Sequence, residues 1–378
     1  MPPSSVGVAA THAERGRASA MPRPCSVPMP APPGLTNRIH YANLPLACAP
    51  TKRDDVPRGG IIVRRLIGLA SLLTLLMAGI ALAATPEVVL NAPDVDEFRS
   101  SASDGYLVWS ANSEAKPNRS HSYVRADGGQ PVRINPTGTQ SFGATIDGTT
   151  IVYEEHSHGP RGSDLYFTDA VTPDRQPPPD GVNTRADELR PTLSGDHLLF
   201  TRSNFNRVGI RRAWTRVILV DVTTGDQMVL RERSVLRTYL VSGQVNGDWV
   251  TFESCRVRDF TFSNCNVFRY EISTADLTKV PNPGQQQYGG GVSDDGTVYV
   301  TRTGIRSHWD CGRHAKIVRV PLSGQEQVIA RLPDGKDAFT AFAFDEPGGS
   351  TTLYFDRFSC RNGSSGIYRI PDADTAGP

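Results

Sequence analysis

Arginine recurs in six segments that follow one another at regular intervals, and together these segments carry a net charge of +7. The segments are residues 110–122, 154–164, 202–213, 255–265, 302–315 and 356–363. The arginines of the last four segments are Arg202, Arg207, Arg211, Arg212, Arg256, Arg258, Arg302, Arg306, Arg313, Arg357 and Arg361. The planar guanidinium matches the geometry of carboxylate and phosphate groups. These segments therefore predict recognition of an anionic partner.

Aromatic rings lie among the arginines: Phe205, Phe260, Phe262, His308 and Trp309. We expect a ligand-binding surface for a protein's acidic patch, an acidic glycan or a wall polymer. Its candidate residues are Arg207, Arg211, Arg212, Arg256, Arg258, Arg306, His308, Trp309 and Arg313. The competing interpretation is that the arginines pair within the loops, with backbone carbonyls and with Glu154, Glu155, Asp164, Asp259 and Asp310.

Four of the six cysteines, Cys255, Cys265, Cys311 and Cys360, lie in the same segments. An even number of cysteines in an exported chain favours disulfides. We predict the pairs Cys255–Cys265 and Cys311–Cys360 among the three possible connectivities. A zinc site is the alternative, but no C-x-x-C or Cys/His pair has ligand spacing.

Acidic and histidine side chains suggest two weaker metal sites. Asp96, Asp187 and Asp337 are expected to begin innermost strands and to ring a channel mouth, where converging carboxylates can hold Ca²⁺. The alternative is that each accepts backbone N–H bonds in a turn. His156 and His158 could bind a metal with Glu154 or Glu155, although a solvated polar loop is the better explanation of these residues.

No catalytic motif of the G-x-S-x-G or H-E-x-x-H type occurs in the sequence. We therefore expect a non-catalytic binding protein. The alternative is a glycan lyase or hydrolase that works at the channel mouth with Asp187, Asp337 and the histidines.

The arginine-rich segments are positioned by a repeated unit, a turn glycine followed by an apolar strand. The glycines are Gly105, Gly148, Gly195, Gly247, Gly296 and Gly349, spaced by 43, 47, 52, 49 and 53 residues. After each strand come a loop, a further strand and, in most copies, a fourth. A four-stranded period of this length predicts an all-β, six-bladed β-propeller. The arginine-rich segments then connect the second and third strands of each blade and emerge on one face.

The two ends of the repeat are complementary. The last copy lacks a fourth strand, and residues 87–90 form a strand without a partner in their own copy. We predict that this N-terminal strand completes the last blade and closes the ring, leaving no unpaired edge between the first and last blades.

The third copy, DELRPTLSGDHLLF followed by RVILVDVTTGDQMVL, resembles the TolB-like (WD40-like PD40) propellers. The family pattern is an acidic residue, a proline, a glycine turn, an apolar strand and a strand ending in V-D-x-x-T-G. The resemblance extends over residues 85–378, and it implies a six-bladed fold and an envelope or extracellular setting. It carries over no catalytic residue.

The N-terminal region reads as a targeting segment. Residues 66–83 form an apolar run that follows two arginines and ends in Ala-Leu-Ala, which is typical of a secretory signal peptide. We expect a disordered or untranslated extension (1–62), a signal peptide (63–84) and the propeller (85–378). A membrane anchor is the alternative for the apolar run.

Charge bears on partners and compartment. Beyond residue 84 the chain holds 31 Lys+Arg and 36 Asp+Glu, which gives no argument for a nucleic-acid partner. We expect a secreted or cell-envelope monomer without stable membrane insertion after signal cleavage. Its partner would be an envelope or extracellular protein or an anionic glycan.

Overall fold

A computed structural model describes residues 84–113, 119–156, 162–208, 211–258, 261–304, 315–359 and 363–376. The expected N-terminal extension and signal peptide lie outside these residues, apart from Ala84. Within the described ranges, no helix combines the length and the apolar character needed to cross a membrane.

The described chain is almost entirely β-strand. The strands of its first half are β1 (Glu87–Leu90), β2 (Val95–Ser103), β3 (Tyr106–Ser113), β4 (His121–Ala126), β5 (Val132–Arg133), β6 (Gln140–Asp147), β7 (Thr150–His156), β8 (Ser163–Asp169), β9 (Asp187–Ser194), β10 (His197–Ser203), β11 (Trp214–Asp221) and β12 (Gln227–Ser234). Those of the second half are β13 (Thr238–Asn246), β14 (Trp249–Arg258), β15 (Thr261–Glu271), β16 (Leu277–Lys279), β17 (Gln286–Val292), β18 (Val298–Thr303), β19 (Lys316–Val320), β20 (Gln327–Arg331), β21 (Lys336–Asp345), β22 (Thr351–Ser359) and β23 (Ser365–Ile370). A single helical turn, α1 (Phe205–Val208), precedes β11.

These strands form six antiparallel sheets, which are the six blades of a β-propeller. Blades one and three to five have the strand orders β2-β3-β4-β5, β9-β10-β11-β12, β13-β14-β15-β16 and β17-β18-β19-β20. Each blade runs outward from the central channel in chain order. The predicted all-β, six-bladed fold is confirmed.

The ring closes as predicted, because β1 pairs with β23 on the outside of blade six. The register joins Glu87 to Arg369, Val88 to Tyr368 and Leu90 to Ile367. The sheet order is β1-β23-β22-β21, so the N-terminal strand supplies the fourth strand of the last blade. The first and last blades are thereby held in one sheet.

Blade two has only three strands, in the order β6-β7-β8. The chain that follows β8 contains Pro173 and Pro177–Pro179, and proline has no N–H to donate to a ladder. A single bridge between Phe167 and Gln176 stands where a fourth strand would pair. The Asn183 side chain accepts from the Leu165 N–H at 2.8 Å and donates to the Leu165 carbonyl at 2.9 Å, so this edge is covered without a strand.

The hairpin glycines and the strand after each build the core. All six turn glycines have positive φ, from 52° at Gly247 to 83° at Gly349. A tight hairpin needs this conformation, and residues with a Cβ rarely adopt it. The strands then place large apolar residues between neighbouring sheets. Phe200, for example, is fully buried in a cluster with Leu165 of blade two and Ile218 of its own blade. The core is thus a ring of inter-blade clusters.

Each innermost strand carries a β-bulge near its middle. The register shifts at equivalent places in all six blades, between Phe98 and Ser101 in β2 and between Tyr288 and Gly291 in β17, for example. A bulge bends the strand and leaves a residue outside the ladder. The bulges of all six blades face the channel and shape its wall.

Candidate functional site

Four arginines lie together on the rim of blades three and four. Arg211 and Arg212 stand in the loop before β11, Arg237 in the linker between the blades, and Arg256 near the end of β14. All four are exposed. We call this group the arginine rim.

Backbone hydrogen bonds join the three segments of the arginine rim. The Val235 N–H donates to the carbonyl of Ala213 at 3.0 Å, and the Val257 N–H donates to the carbonyl of Arg237 at 3.2 Å. The linker between blades three and four therefore bonds to the loop of one blade and to β14 of the next. Because Arg212 adjoins Ala213 and Arg256 adjoins Val257, the backbones of these arginines lie along one hydrogen-bonded edge.

The arginine rim brings four unpaired guanidinium groups to one part of the surface. Within the described ranges, none of its four side chains makes an ion pair or a hydrogen bond. Some other arginines are paired: Arg216 binds Glu232 at 2.7 Å, and Arg369 binds Glu87 at 2.8 Å. The rim is therefore a positively charged surface whose charge the described protein leaves to solvent or to a partner.

A disulfide and aromatic rings support the rim. Cys255 and Cys265 are bonded and almost completely buried, which ties β14 to β15 next to Arg256. The rings of Tyr239 and Phe262 pack with centroids 5.3 Å apart in the same blade. The predicted partners Cys311 and Cys360 lie outside the described residues.

Two arginines expected on the basic face are internal instead. Arg302 is fully buried, and its guanidinium donates to Glu326 at 2.7 Å and to the carbonyl of Pro281 at 2.6 Å. Arg202 binds Glu188 at 2.8 Å and the carbonyl of Val182 at 2.6 Å. Both occupy the ends of second strands, which extend further than the sequence indicated. For these two, internal pairing is the correct interpretation.

Several other predicted ligand-binding residues remain predictions. Arg306, His308, Trp309 and Arg313 lie outside the described residues. The backbones of Arg207 and Arg258 belong to α1 and β14, but their side chains are not described. Arg237, by contrast, was missed because the sequence argument counted charges only in the loops between second and third strands.

The three aspartates proposed for Ca²⁺ begin innermost strands as expected, but they do not converge. Asp96 accepts from the Ser365 N–H at 3.1 Å, Asp187 from the Ser163 N–H at 3.2 Å, and Asp337 from the Ala338 N–H at 2.9 Å. Two of these bonds reach into the preceding blade. Among the described residues, no group of three or more His, Cys, Asp or Glu side chains could hold a metal ion.

His156, the last residue of β7, lies in a chain of polar contacts. Its Nε2 is 2.7 Å from Glu154 Oε1, and the Ser163 Oγ is 3.1 Å from each ring nitrogen. A serine nucleophile needs its hydroxyl aligned with one nitrogen and open to substrate. Ser163 is 2% exposed and equidistant from both, so this group positions the loop rather than activating a nucleophile. His158 lies outside the described residues.

Polar side chains on the second strands clamp each blade to the next. The bulge N–H groups of Arg99, Arg190 and Gly289 donate to Asp356, Glu154 and Glu253 at 2.8, 2.9 and 2.8 Å. In two of the other blades a hydroxyl accepts instead, with Gly143 bonding Ser110 Oγ at 2.8 Å and Ser242 bonding Thr201 Oγ1 at 2.7 Å.

Acids thus stand in blades two, four and six, and hydroxyls in blades one and three. Each of these acceptors directly follows the buried aromatic residue of its strand, as in Tyr153-Glu154 and Phe252-Glu253. This pattern of an acid or hydroxyl directly after a buried aromatic residue is the signal in the sequence for these channel residues.

Burial perturbs several channel carboxyls. It raises the pKa of Glu97 and of Glu188 to about 7, although Arg202 and Thr184 favour the charged form of Glu188. Burial also raises the pKa of Glu253. Burial acts in the same direction on Glu154, but His156 and Arg99 outweigh it and leave that pKa below its usual range.

Comparison with known proteins identifies the fold alone. No family model matches the chain, and no curated protein matches it. Solved structures with a similar fold include an oligogalacturonate lyase from Vibrio parahaemolyticus, at 12% identity and a TM-score of 0.45, covering 76% of this chain and 85% of that one. A protein described as TolB from Agrobacterium tumefaciens has 13% identity and a TM-score of 0.44, covering 73% and 90%. The propeller domain of a Pyrococcus furiosus protease has 12% identity and a TM-score of 0.43, covering 73% and 82%.

A protein described as TolB, the family that blade three resembles, is thus among the solved structures of similar fold. All three matches fall below 25% identity and below a TM-score of 0.5, so they describe the architecture and bear on nothing else. The chain is a six-bladed β-propeller.

Proposed function

We propose that this protein is a secreted or cell-envelope propeller that binds an acidic protein surface or an anionic glycan through the arginine rim, without catalysing a reaction. The single observation that supports this is the exposure of four neighbouring arginines that have no counter-charge in the described structure. Guanidinium groups are enriched at protein interfaces, and they bind carboxylates with two parallel hydrogen bonds.

The surroundings of the rim fit a docking surface. Leu236 lies within the linker and is 47% exposed, and Val208 of α1 is 43% exposed. Apolar side chains bordered by arginines can lose water on contact, while the charges orient the partner. The disulfide fixes one side of the surface, which lowers the entropy lost on binding.

The disulfide also supports the proposed compartment. Structural disulfides persist in oxidising environments and are rare in the cytosol. A buried Cys255–Cys265 bond next to the binding surface therefore suits a protein that acts outside the cytoplasm.

The test is binding of fluorescent poly-L-glutamate and of alginate, followed by anisotropy at low and high salt. We expect binding at low salt that weakens at high salt, because exposed charge contacts are screened. The variant Arg211→Ser/Arg212→Ser should bind at least about fivefold more weakly, from roughly 1 kcal/mol or more lost. The control Arg125→Ser/Arg369→Ser removes the same charge near the opposite ends of third strands and should bind like wild type. Equal loss in both variants would refute the rim.

A glycan lyase or hydrolase at the channel mouth remains the second candidate. The observation in its favour is the imidazole–carboxylate pair of His156 and Glu154, which could move a proton. The test is incubation with hyaluronate or alginate. Release of reducing ends or unsaturated products by wild type, and no release by His156→Gln, would favour the enzyme over the binding protein. The binding proposal predicts no such release.

A further inference from the structure

The outermost strand of blade three, β12, has a long open edge. It runs for eight residues, whereas β5, β16, β1 and β20, the outermost strands of the other four-stranded blades, have two, three, four and five. β12 pairs with β11 and stands at the end of its sheet. The open edge of a strand presents backbone N–H and C=O groups to which another extended chain can add.

The backbone groups of Gln227 and Val229 point away from β11. At the hairpin, the Asp221 N–H donates to the carbonyl of Asp226 at 3.0 Å. From there, residues that bond to β11 alternate with residues whose N–H and C=O face outward, and Gln227 and Val229 are the outward ones. The side chains leave this edge accessible, since Val229 is 50% exposed. Both residues therefore offer backbone groups to a partner strand.

The second half of β12 carries two arginines without an acidic partner. Within the described residues, Arg231 and Arg233 form no ion pair, and Glu232 between them is bound by Arg216 at 2.7 Å. The Arg231 guanidinium lies 4.9 Å from the centroid of the Phe268 ring, and its Nε has no hydrogen-bond partner. Arg233 donates to the carbonyl of Glu232 at 2.8 Å, which leaves its charge unbalanced. Burial and the neighbouring charge of Arg233 lower the pKa of Arg231, so these two cations lack the counter-charge that a carboxylate would supply.

β12 runs directly into the arginine rim. It ends at Ser234, and the N–H of the next residue, Val235, donates to the carbonyl of Ala213 at 3.0 Å. Ala213 adjoins Arg212, and Arg237 follows Val235 by two positions. An extended chain that continues along β12 therefore meets the two arginines of the strand first and the rim next.

The arginines of β12 discriminate among the chains that could occupy its edge. Charged side chains on an edge strand oppose pairing with a second copy, because like charges repel. A strand rich in Asp or Glu is attracted by the same charges, which gives specificity as well as affinity. An anionic polysaccharide would meet the charges but could not form the backbone ladder.

We propose that the partner of the arginine rim is an extended acidic peptide segment, which adds to β12 as a fifth strand of blade three. Its backbone would pair at Gln227 and Val229, and its carboxylates would bind Arg231 and Arg233 before they reach the rim. Leu230 is left out of the register between β12 and β11, so the new ladder should be confined to the part of β12 before that bulge. This inference rests on the proposed function and chooses a polypeptide over an anionic glycan.

The test compares two fluorescent peptides by anisotropy at low salt. The first alternates Asp and Val, and the second is the same peptide with a methyl group on every backbone nitrogen. The two carry the same charge, but the methylated peptide has no N–H to donate to β12. We expect wild type to bind the unmethylated peptide about tenfold more tightly, because the ladder bonds are lost with the other. Hydrogen exchange at the amides of Gln227 and Val229 should slow with the unmethylated peptide alone.

The variant Val229→Pro separates strand addition from charge. It removes an outward N–H and leaves the ladder with β11 intact, so the variant should fold with a Tm close to that of wild type. It should bind the two peptides equally, since the ring also blocks a partner backbone, and it should keep its affinity for alginate. The matched control is Leu277→Pro in β16, where the Glu271 N–H donates to the carbonyl of Asp276 at 3.0 Å and the Leu277 N–H faces outward in the same way. The control should retain the preference for the unmethylated peptide.

The outcomes distinguish this inference from the proposed function. Equal affinity of wild type for the two peptides, or the same loss in Leu277→Pro as in Val229→Pro, would overturn strand addition. Binding of alginate without binding of either peptide would also overturn it, while the rim would stand. Failure of every anionic probe to bind would refute the proposed function as well. If Val229→Pro does not fold, hydrogen exchange in wild type decides: protection of Gln227 and Val229 supports strand addition, and its absence refutes it.

Discussion

The N-terminal strand β1 should determine how firmly the ring is closed, and removing residues 85–91 tests this. Val89 and Leu90 are partly buried against Ile367 in a cluster shared with blade one. Covering these three side chains contributes roughly 4 kcal/mol. Each ladder hydrogen bond adds about 1 kcal/mol. The conformational entropy lost when the strand becomes ordered offsets part of this stabilisation. We expect a net loss of roughly 3 kcal/mol.

A loss of this size should be visible in a melting experiment. In a domain of this size it corresponds to a fall in Tm of about 5 °C. Leu90→Ser is a milder variant, which should lower Tm in the same direction by a smaller amount. The control is Leu277→Ser in β16, another outermost strand, whose three residues are all exposed. It should change the free energy of unfolding by less than about 0.5 kcal/mol.

The assay is circular dichroism against temperature, with hydrogen exchange measured at Ile367 and Tyr368. Loss of β1 should speed exchange in β23 before the other blades open. An unchanged Tm after removal of residues 85–91, or equal effects of Leu90→Ser and Leu277→Ser, would refute closure by β1 as a source of stability.

Three further predictions concern buried groups. Glu188 binds a proton more tightly in the folded state, because burial raises its pKa to about 7. Its contribution to the free energy of unfolding should therefore be complete below about pH 4.5 and fall by roughly 3 kcal/mol as the pH rises to about 7. Urea titrations should show this fall in wild type and in Glu232→Gln, and a smaller fall in Glu188→Gln. Replacing both Cys255 and Cys265 by serine should lower the free energy of unfolding by about 3 kcal/mol. Denaturant midpoints measure this loss, and a reductant should lower the midpoint of wild type through this bond but not that of the variant. Equal midpoints for oxidised wild type and the variant would contradict the prediction. Arg302→Ala should lower stability by about 3 kcal/mol because it leaves the Pro281 carbonyl without its donor, and a change in denaturant midpoint equivalent to less than about 1 kcal/mol would show that the buried guanidinium is dispensable.

The fold could be predicted because its signals are local and repeated. Each hairpin glycine needs positive φ, and each following strand begins with a run of buried, mostly apolar residues, so six copies reinforce one interpretation. Closure by β1 could be predicted because residues 87–90 form a strand without a partner in their own copy, while the last copy lacks a fourth strand. The missing fourth strand of blade two can also be predicted from sequence, since Pro177–Pro179 stand where that strand would pair.

The arginines were harder to place from sequence. Arg202 and Arg302 lie beside loops, but their strands extend to Ser203 and Thr303, which turns both side chains inward between blades. Strand ends depend on tertiary packing, which the local pattern does not contain. Arg237 belongs to a linker whose place on the rim follows from its bonds to two blades.

The positive φ values of Arg99 and Arg190 could not be predicted from the sequence. A positive φ at Arg99 depends on the bulge of β2 and on the Asp356 carboxylate of blade six, which lies 257 residues away in the chain. Only ring closure brings these two residues together. The acids that accept the bulge N–H groups were more accessible, because Glu154 and Glu253 directly follow buried aromatic residues.

Hydrogen exchange of the protein with and without poly-L-glutamate tests the central claim most directly. Binding at the arginine rim predicts slower exchange in residues 211–213, 235–237 and 255–257, which lie on three segments joined by hydrogen bonds. The protection should disappear at high salt and in the Arg211→Ser/Arg212→Ser variant. Protection confined to the hairpin turns on the opposite face, such as residues 104–105 and 195–196, would contradict the account.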